Sequence, residues 1–373
     1  MRECQNVAIV GLGKMGISHL AIAKMVPGMK VVAICESSAM LGQLLERYCQ
    51  VPYFAKFEDL IAMQGLDGVI LATPTRFHEQ MIRQALAAGL HIFCEKPMTL
   101  SGNISADLAR QAAARGLVCQ VGYHNRFVGT FREAKRLIEL GAIGKLRHVH
   151  GEAYGPVVLR PSSKTWRSKP SEGGGCLYDY AAHPINLMNW YAGRPNGCAG
   201  AQLTQQWSAD VDDAVYANLN FSDGVSGQIS VNWADETTRK MSTVITLWGD
   251  GGKIVVDRQE IRVFVGAAGS PQPDYPAGWT IRYITDLTAH PAFYLRGEEY
   301  SGQMERFAVA MAQGDTSGDN DFLSASDTDY TLHLIRSAAA AGAALADRIE
   351  PDMVVPPPLP RARSGLLGRA LGR

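Results

Sequence analysis

A chain of 373 residues is longer than one hydrophobic core ordinarily organises and suits two domains. Its 36 basic and 36 acidic residues cancel, which removes the bulk charge that would draw it to nucleic acid, and no apolar run is long enough to span a bilayer. Seven cysteines, at 4, 35, 49, 94, 119, 176 and 198, include no CxxC pair, a scatter that predicts reduced thiols, a cytoplasmic location and no metal site.

The first strand is expected at 6–10, within a few residues of Met1, so no signal peptide is expected. Gly11-Leu12-Gly13-Lys14-Met15-Gly16 follows it directly and opens a helix at about 15–25. In that setting GxGxxG is a dinucleotide fingerprint: glycines permit a tight turn and bring a pyrophosphate close to a helix N-terminus. The second strand, 30–35, ends at Glu36, twenty residues beyond Gly16. A carboxylate there can accept from both ribose hydroxyls and repels a 2′-phosphate. Ser37 and Ser38 stand where an NADP enzyme often places arginine, so NAD is favoured over NADP.

Strands at 68–72, 91–94 and 117–121 alternate with helices at 40–48, 79–88 and 101–115, Ser101 serving as N-cap of the last. This interval predicts βαβ units and a parallel sheet covered on both faces. The strand at 68–72 leads into Thr73-Pro74-Thr75-Arg76-Phe77-His78, small and proline residues over which a cofactor can lie flat. His78 either lines that cofactor or caps its helix. The run at 91–94 leads into Glu95-Lys96-Pro97, placing a lysine at the carboxyl edge of the sheet, where such sheets bind ligands. It closes a solvated turn or polarises a substrate oxygen.

After residue 123 the rhythm changes. A helix at 130–140 and a strand at 146–154 precede a loop, 155–171, that carries Arg160, Lys164, Trp166, Arg167 and Lys169 without an acid. That loop is a solvated basic segment or an anion site, with Arg167 nearest the run Gly173-Gly174-Gly175. The glycines permit close approach of a ligand and lead into a helix at 177–191, with Asp179 and His183 four apart on one face. Strands at 215–221, 225–233, 242–248, 253–256 and 261–265, joined by turns such as Ser222-Asp223-Gly224, predict a mostly antiparallel sheet with helices on one face. Helices follow at 303–311 and 326–346, the second alanine-rich and suited to close packing. Five prolines between 351 and 360, then Arg361, Arg363, Arg369 and Arg373, predict a flexible basic tail.

Taken in this order, Gly11, Gly13 and Gly16, Thr73-Pro74, Glu95-Lys96-Pro97, and the glycine-led Asp179-xxx-His183 resemble the glucose–fructose oxidoreductase / inositol dehydrogenase / rhizopine-catabolism (Gfo/Idh/MocA) family over about residues 5–350. The resemblance implies an α/β protein. A Rossmann doubly wound parallel sheet would occupy 1–122. An α+β domain at 123–350 would follow, with a large open sheet used in a homodimer or homotetramer and a last helix packing back on the first domain. The tail would be 351–373. It also implies a cis Lys96–Pro97 bond. Around the cofactor it places Gly11, Gly13, Lys14, Met15, Gly16, Glu36, Ser37, Thr73, Pro74, His78, Glu95 and Lys96. Around the substrate it places Lys96, Asn125, Arg126, Arg167, Asp179 and His183.

The implied reaction passes hydride between nicotinamide and a secondary alcohol or ketone of a sugar, a polyol or a nucleotide sugar. His183 suits the role of proton acceptor because imidazole titrates near neutrality. Lys96 would donate to the reacting oxygen and Asp179 would orient a neighbouring hydroxyl, although family members differ over whether lysine or histidine takes the proton. Two alternatives stay open. One is a silent dinucleotide-binding sensor, against which the presence of Lys96 and His183 counts. The other is a different enzyme on the scaffold: a dihydrodiol or imine reductase, or an NAD-assisted glycosidase.

Overall fold

The computed structural model describes residues 4–161, 165–288 and 297–346. Lys164 and the basic tail lie outside the described residues. The N-terminal alternation runs β1 (Gln5–Val10), α1 (Lys14–Ala23), β2 (Met29–Cys35), α2 (Ala39–Cys49), β3 (Tyr53–Phe54), α3 (Phe57–Ile61), β4 (Gly68–Leu71), α4 (His78–Ala87), β5 (His91–Cys94), α5 (Gly102–Ala114) and β6 (Cys119–Val121). All six strands are parallel, in the order β3-β2-β1-β4-β5-β6. Chain direction across the sheet reverses between β1 and β4, and a crevice opens there at the carboxyl ends of the strands. The strands are apolar on both faces because both are covered: Ala8 and Val10 join one buried cluster, Val7 and Ile9 the other. β3 and α3 are too short to show a period and are not legible in the sequence.

The second half contains α6 (Gly129–Glu139), β7 (Leu146–Tyr154), α7 (Ala182–Ala192), β8 (Gly197–Thr204), β9 (Ala214–Asn220), β10 (Ser226–Asn232), β11 (Val244–Gly249), β12 (Gly252–Val256), β13 (Glu260–Val265), β14 (Gly278–Tyr283), α8 (Ile284–Leu287), α9 (Glu298–Gln313) and α10 (Phe322–Ala346). Eight strands form one sheet in the order β14-β13-β12-β11-β7-β10-β9-β8. Every neighbouring pair is antiparallel except β7 with β10. The edge strands β8 and β14 had not been placed from the sequence. β8, with two glycines and two alanines among its eight residues, has Thr204 as its one β-branched residue and no aromatic, a weak strand signal.

The last two helices return to the first domain. Met304, Phe307 and Met311 of α9 complete the cluster beneath Val7, Ile9 and Leu20, and α10 packs on α5 and α7. Buried Asp329 of α10 accepts from Thr99 N–H (3.0 Å) and Ser105 Oγ (2.6 Å), fastening that helix to the segment just after Pro97. Ser101 stands at the N-cap of α5, but its side chain makes no capping bond. All seven cysteines are unpaired. Among the described residues no helix is long and apolar enough to cross a membrane.

Candidate active site

The turn after β1 closes on itself. Gly11 has φ +83°, and a Cβ on Gly16 would lie 1.7 Å from the Gly11 carbonyl oxygen, so only glycine fits where α1 begins. Gly13 caps α1 without a side-chain bond, and nothing lies within 4 Å of where its Cβ would be. The first turn of α1, including half-buried Met15 and exposed Lys14, therefore offers unshielded N–H groups to an anion. Glu36, at the end of β2, accepts from Leu12 N–H at 2.7 Å, Ser38 N–H at 3.0 Å and Ser37 Oγ at 3.1 Å. Burial pushes its carboxyl up, but hydrogen bonds from Ser38, Leu12 and Ser37 outweigh burial and hold it below the usual range. An ionised carboxylate beside an open, glycine-lined helix end fits an adenosine ribose and a pyrophosphate, and disfavours a 2′-phosphate.

Thr73 and Pro74 lie opposite this turn, at the end of β4, where Thr73 Cγ2 is 2.9 Å from the Cβ that Gly11 lacks. His78 opens α4 without capping it. It is buried, with Nε2 2.9 Å from the Thr73 carbonyl and Nδ1 3.1 Å from the Pro97 carbonyl, and burial lowers its imidazole pKa. It braces the β4 end against the segment after β5.

That segment carries Lys96, and the Lys96–Pro97 bond is cis. Lys96 Nζ donates to the Asp179 carbonyl (2.8 Å) and to Oδ1 of the same residue (2.9 Å), while Arg167 Nε donates to Oδ2 at 2.8 Å. The Lys96 and Asp179 side chains are 13% and 10% exposed. Burial raises the Asp179 pKa, yet the Lys96 and Arg167 charges beside it prevail and keep it below the usual carboxylate range. Glu95 contacts His19, with 2.6 Å between Oε1 and Nε2.

Asp179 sits where it does because the helix predicted at 177–191 begins as a π turn, Leu177–Ala181, before becoming α7. A π turn bonds the carbonyl of residue i to the N–H of i+5. Five residues after Asp179 stands Pro184, which has no N–H to offer, and the Asp179 carbonyl accepts from Lys96. Asp212 fixes the start of this helix: its Oδ2 accepts from Leu177 N–H (2.6 Å) and its carbonyl from Cys176 N–H (2.8 Å). The three glycines serve the protein's own packing. Gly173 lies against Thr75 and Leu100, Gly174 against the Arg167 carbonyl, and Gly175 against Asp212. Arg76 reaches from the first domain to Glu172 (2.5 Å), clasping the loop over the crevice.

His183 is 6% exposed, and its Nδ1 has no hydrogen bond among the described residues. Burial, then the charges of Lys96 and Arg258, push its imidazole well below 6.5, so it is neutral at physiological pH. His124 meets its ring edge-on at a 5.0 Å centroid separation and stacks on Tyr300. Arg258, from the turn between β12 and β13, pairs with buried Glu299 and lies 3.5 Å from His124 Nε2. His124 adjoins the predicted Asn125, but nothing in the sequence points to Arg258, Glu299 or Tyr300. They come together from segments far apart in the chain, and no local spacing marks them.

Arg126 is turned into the protein interior. It is buried, donates to Asn186 Oδ1 (2.9 Å) and the Asn186 carbonyl (3.1 Å), lies over Trp190, and has its pKa lowered by burial to about 10. Its neighbour Asn125 is buried with its side-chain oxygen unbonded among the described residues. Arg160 and Arg167 line an open cavity of about 510 Å³ with Val157, Leu159 and Ser168.

Residues 5–123 match the model of an oxidoreductase family with an NAD-binding Rossmann fold, and residues 131–255 that of the Gfo/Idh/MocA C-terminal domain. The chain is 28% identical over 251 residues to scyllo-inositol 2-dehydrogenase (NAD(+)) of Bacillus subtilis, covering 62% of this chain and 68% of the relative. It is 28% identical over 221 residues to 2,7-anhydro-N-acetylneuraminate hydratase of Mediterraneibacter gnavus, covering 58% of each. The fold of a levoglucosan dehydrogenase solved with NADH and levoglucosan superposes with a TM-score of 0.80 at 24% identity, over 90% of this chain and 97% of that one. With both domain models matched in order along one chain, this protein belongs to the Gfo/Idh/MocA oxidoreductase family.

Proposed function

We propose that this protein transfers hydride between NAD and a secondary alcohol or ketone of a polyol or sugar. The observation that carries the reading is the meeting of Lys96, Asp179 and a neutral His183 at the carboxyl edge of the parallel sheet, beside the open glycine turn. Gly11, Gly13, Gly16 and the N–H groups opening α1 would hold the pyrophosphate, Glu36 with Ser37 the adenosine ribose, and Thr73-Pro74 the middle of the cofactor. Bound NAD supplies the hydride acceptor. Neutral imidazole can take a hydroxyl proton, so His183 is assigned as base. The Lys96 ammonium, aimed by Asp179, stabilises negative charge on the reacting oxygen. Asp179 is saturated by two cations, which makes orienting Lys96 its first task; contact with a neighbouring hydroxyl comes second. Arg167 joins the site through Asp179, and Asn125 offers an unbonded amide oxygen beside His124.

The test is turnover of inositols, anhydrosugars and nucleotide sugars with NAD and NADP, followed by nicotinamide absorbance. Lys96→Met and His183→Ala should each lose at least about 100-fold in kcat, the scale of one general acid–base or oxyanion contact. Intact turnover in either variant sinks the assignment. A hydratase among the relatives favours one second reading, oxidation coupled to elimination with no net change in NAD. Product analysis separates the two. Assembly into a homodimer or homotetramer is proposed through the outer sheet face, where Phe264, Trp279, Ile281 and Tyr283 are exposed. Unpaired thiols support the proposed cytoplasmic location.

A further inference from the structure

Buried His19 and partly buried Glu95 form a pair with no part in the reaction as described. His19 lies in the second turn of α1, fully buried, its ring edge-on to Phe93 at 5.3 Å. Its Nε2 is 2.6 Å from Glu95 Oε1. The other oxygen, Oε2, accepts the backbone N–H of Lys96 at 3.2 Å. The ladder between β4 and β5 ends one residue earlier, where Glu95 N–H bonds the Leu71 carbonyl. The lysine's own N–H is thus held by a side chain. The carboxyl group also packs against Gly122, whose missing Cβ would come within 3.2 Å of it.

One carboxylate therefore touches the helix that opens the nucleotide turn, the backbone of Lys96, and the segment leading to Asn125. Turning it toward a ribose would strand a buried imidazole and an N–H group without their partner. Burial pushes the Glu95 pKa up, but the hydrogen bond and charge of His19, with Lys96 beside it, hold it down and the group stays ionised.

We propose that His19 and Glu95 are positioning residues: His19 anchors Glu95 to α1, and Glu95 fixes the backbone of Lys96, so the direction of Nζ is set from the nucleotide helix. The inference rests on Lys96 being the group that meets the substrate oxygen. It differs from a direct contact between Glu95 and the cofactor.

Three readouts on Glu95→Ala separate these roles. NADH affinity, by fluorescence titration, should stay within about threefold while kcat falls about 100-fold at near-constant substrate KM, the cost of an ångström of misplacement. Amide exchange of the peptide containing Lys96, read by mass spectrometry without any substrate, should accelerate about tenfold. His19→Ala should follow the same pattern more weakly. His19→Gln, whose amide can donate to Glu95, should recover most of the loss. If Glu95→Ala does not fold, Glu95→Gln keeps one acceptor and should show the same changes at intermediate size. A tenfold loss of NADH affinity with unchanged exchange at Lys96 makes Glu95 a cofactor ligand and overturns the proposal. Should no polyol or sugar be turned over, the proposed substrate class fails, while NADH affinity and exchange still decide the role of Glu95.

Discussion

Replacing Asp179 by asparagine keeps the side chain's shape and removes its charge. Two cations converge on the wild-type carboxylate, Lys96 on Oδ1 and Arg167 on Oδ2. Asparagine can accept from one and must present an NH2 group to the other. Breaking a buried pair from one side costs about 3–5 kcal/mol. The lower end applies, because Lys96 keeps its bond to the Asp179 carbonyl and Arg167, more than a third exposed, regains water. At about 2.1 cal/mol/K of unfolding entropy per residue, 373 residues give roughly 0.8 kcal/mol/K, so about 3 kcal/mol lowers the midpoint by about 4 °C. The pH dependence has a definite sign. The folded pKa of Asp179 is depressed, so its contribution is complete above the unfolded carboxyl value of about 3.9 and is lost as pH falls through the folded value. Calorimetry should find a constant gap between wild type and Asp179→Asn from pH 8 to 5, closing below about pH 4. Adding Lys96→Met removes the stranded ammonium, so the double variant should be more stable than additivity predicts by about 1–3 kcal/mol. A gap below about 1 °C at pH 7, or strict additivity, would refute a single desolvated charge cluster.

Gly16→Ala drives a methyl group into the Gly11 carbonyl and forces the start of α1 away from its turn; NADH affinity should fall about 100-fold, or 2.7 kcal/mol, by fluorescence titration. A loss under threefold would contradict the proposed pyrophosphate site. His183 is held neutral, so kcat/KM should stay flat from pH 8 down past 6.5, without the usual histidine limb. Its folded pKa lies below the unfolded value of about 6.5, so the unfolded chain takes up the proton first and stability falls as pH drops below that value; His183→Gln should flatten part of the slope, leaving the part due to His78, His91 and His148. A limb at 6.5 and an unchanged slope would count against a buried neutral imidazole. Arg126→Lys forfeits the paired bonds to Asn186 and the stacking on Trp190, so stability in urea should fall by about 2–3 kcal/mol with substrate KM within about threefold. Raised KM at unchanged stability would return Arg126 to the substrate.

What the sequence revealed is what short spacing encodes. Gly11, Gly13 and Gly16 are legible because each meets a local steric demand, and Glu36 and Lys96 because a strand end fixes where the next side chain lies. The strand at 146–154 matches β7 residue for residue, its buried and exposed positions largely alternating. The two arginines show the limit. From sequence, Arg126 and Arg167 are both basic residues near candidate motifs, and nothing local distinguishes them. Folding sends Arg126 sixty residues along the chain to Asn186, and Arg167 twelve residues to Asp179. The cluster of His124, Arg258 and Glu299 depends on the β12–β13 turn meeting α9, a tertiary event with no period.

The Asp179–His183 pair was read from α-helical spacing, yet Asp179 lies in a π turn, and the residue that marks this is Pro184. In an α register its missing N–H would orphan the Tyr180 carbonyl; in the π register it orphans that of Asp179. Lys96 donates to the Asp179 carbonyl, which couples the lysine to this turn. Pro184→Ala restores an N–H that competes with Nζ for the Asp179 carbonyl or lets the turn relax to an α register. Removing a proline from a helix interior recovers up to about 3 kcal/mol, which offsets the lost ring contacts, so stability should change little. Turnover, in contrast, should fall about tenfold as Lys96 loses one of its two anchors on Asp179. Calorimetry and steady-state kinetics on this one variant decide the matter. Unchanged turnover would mean that the carboxylate alone aims the lysine and that the π turn has no part in placing it.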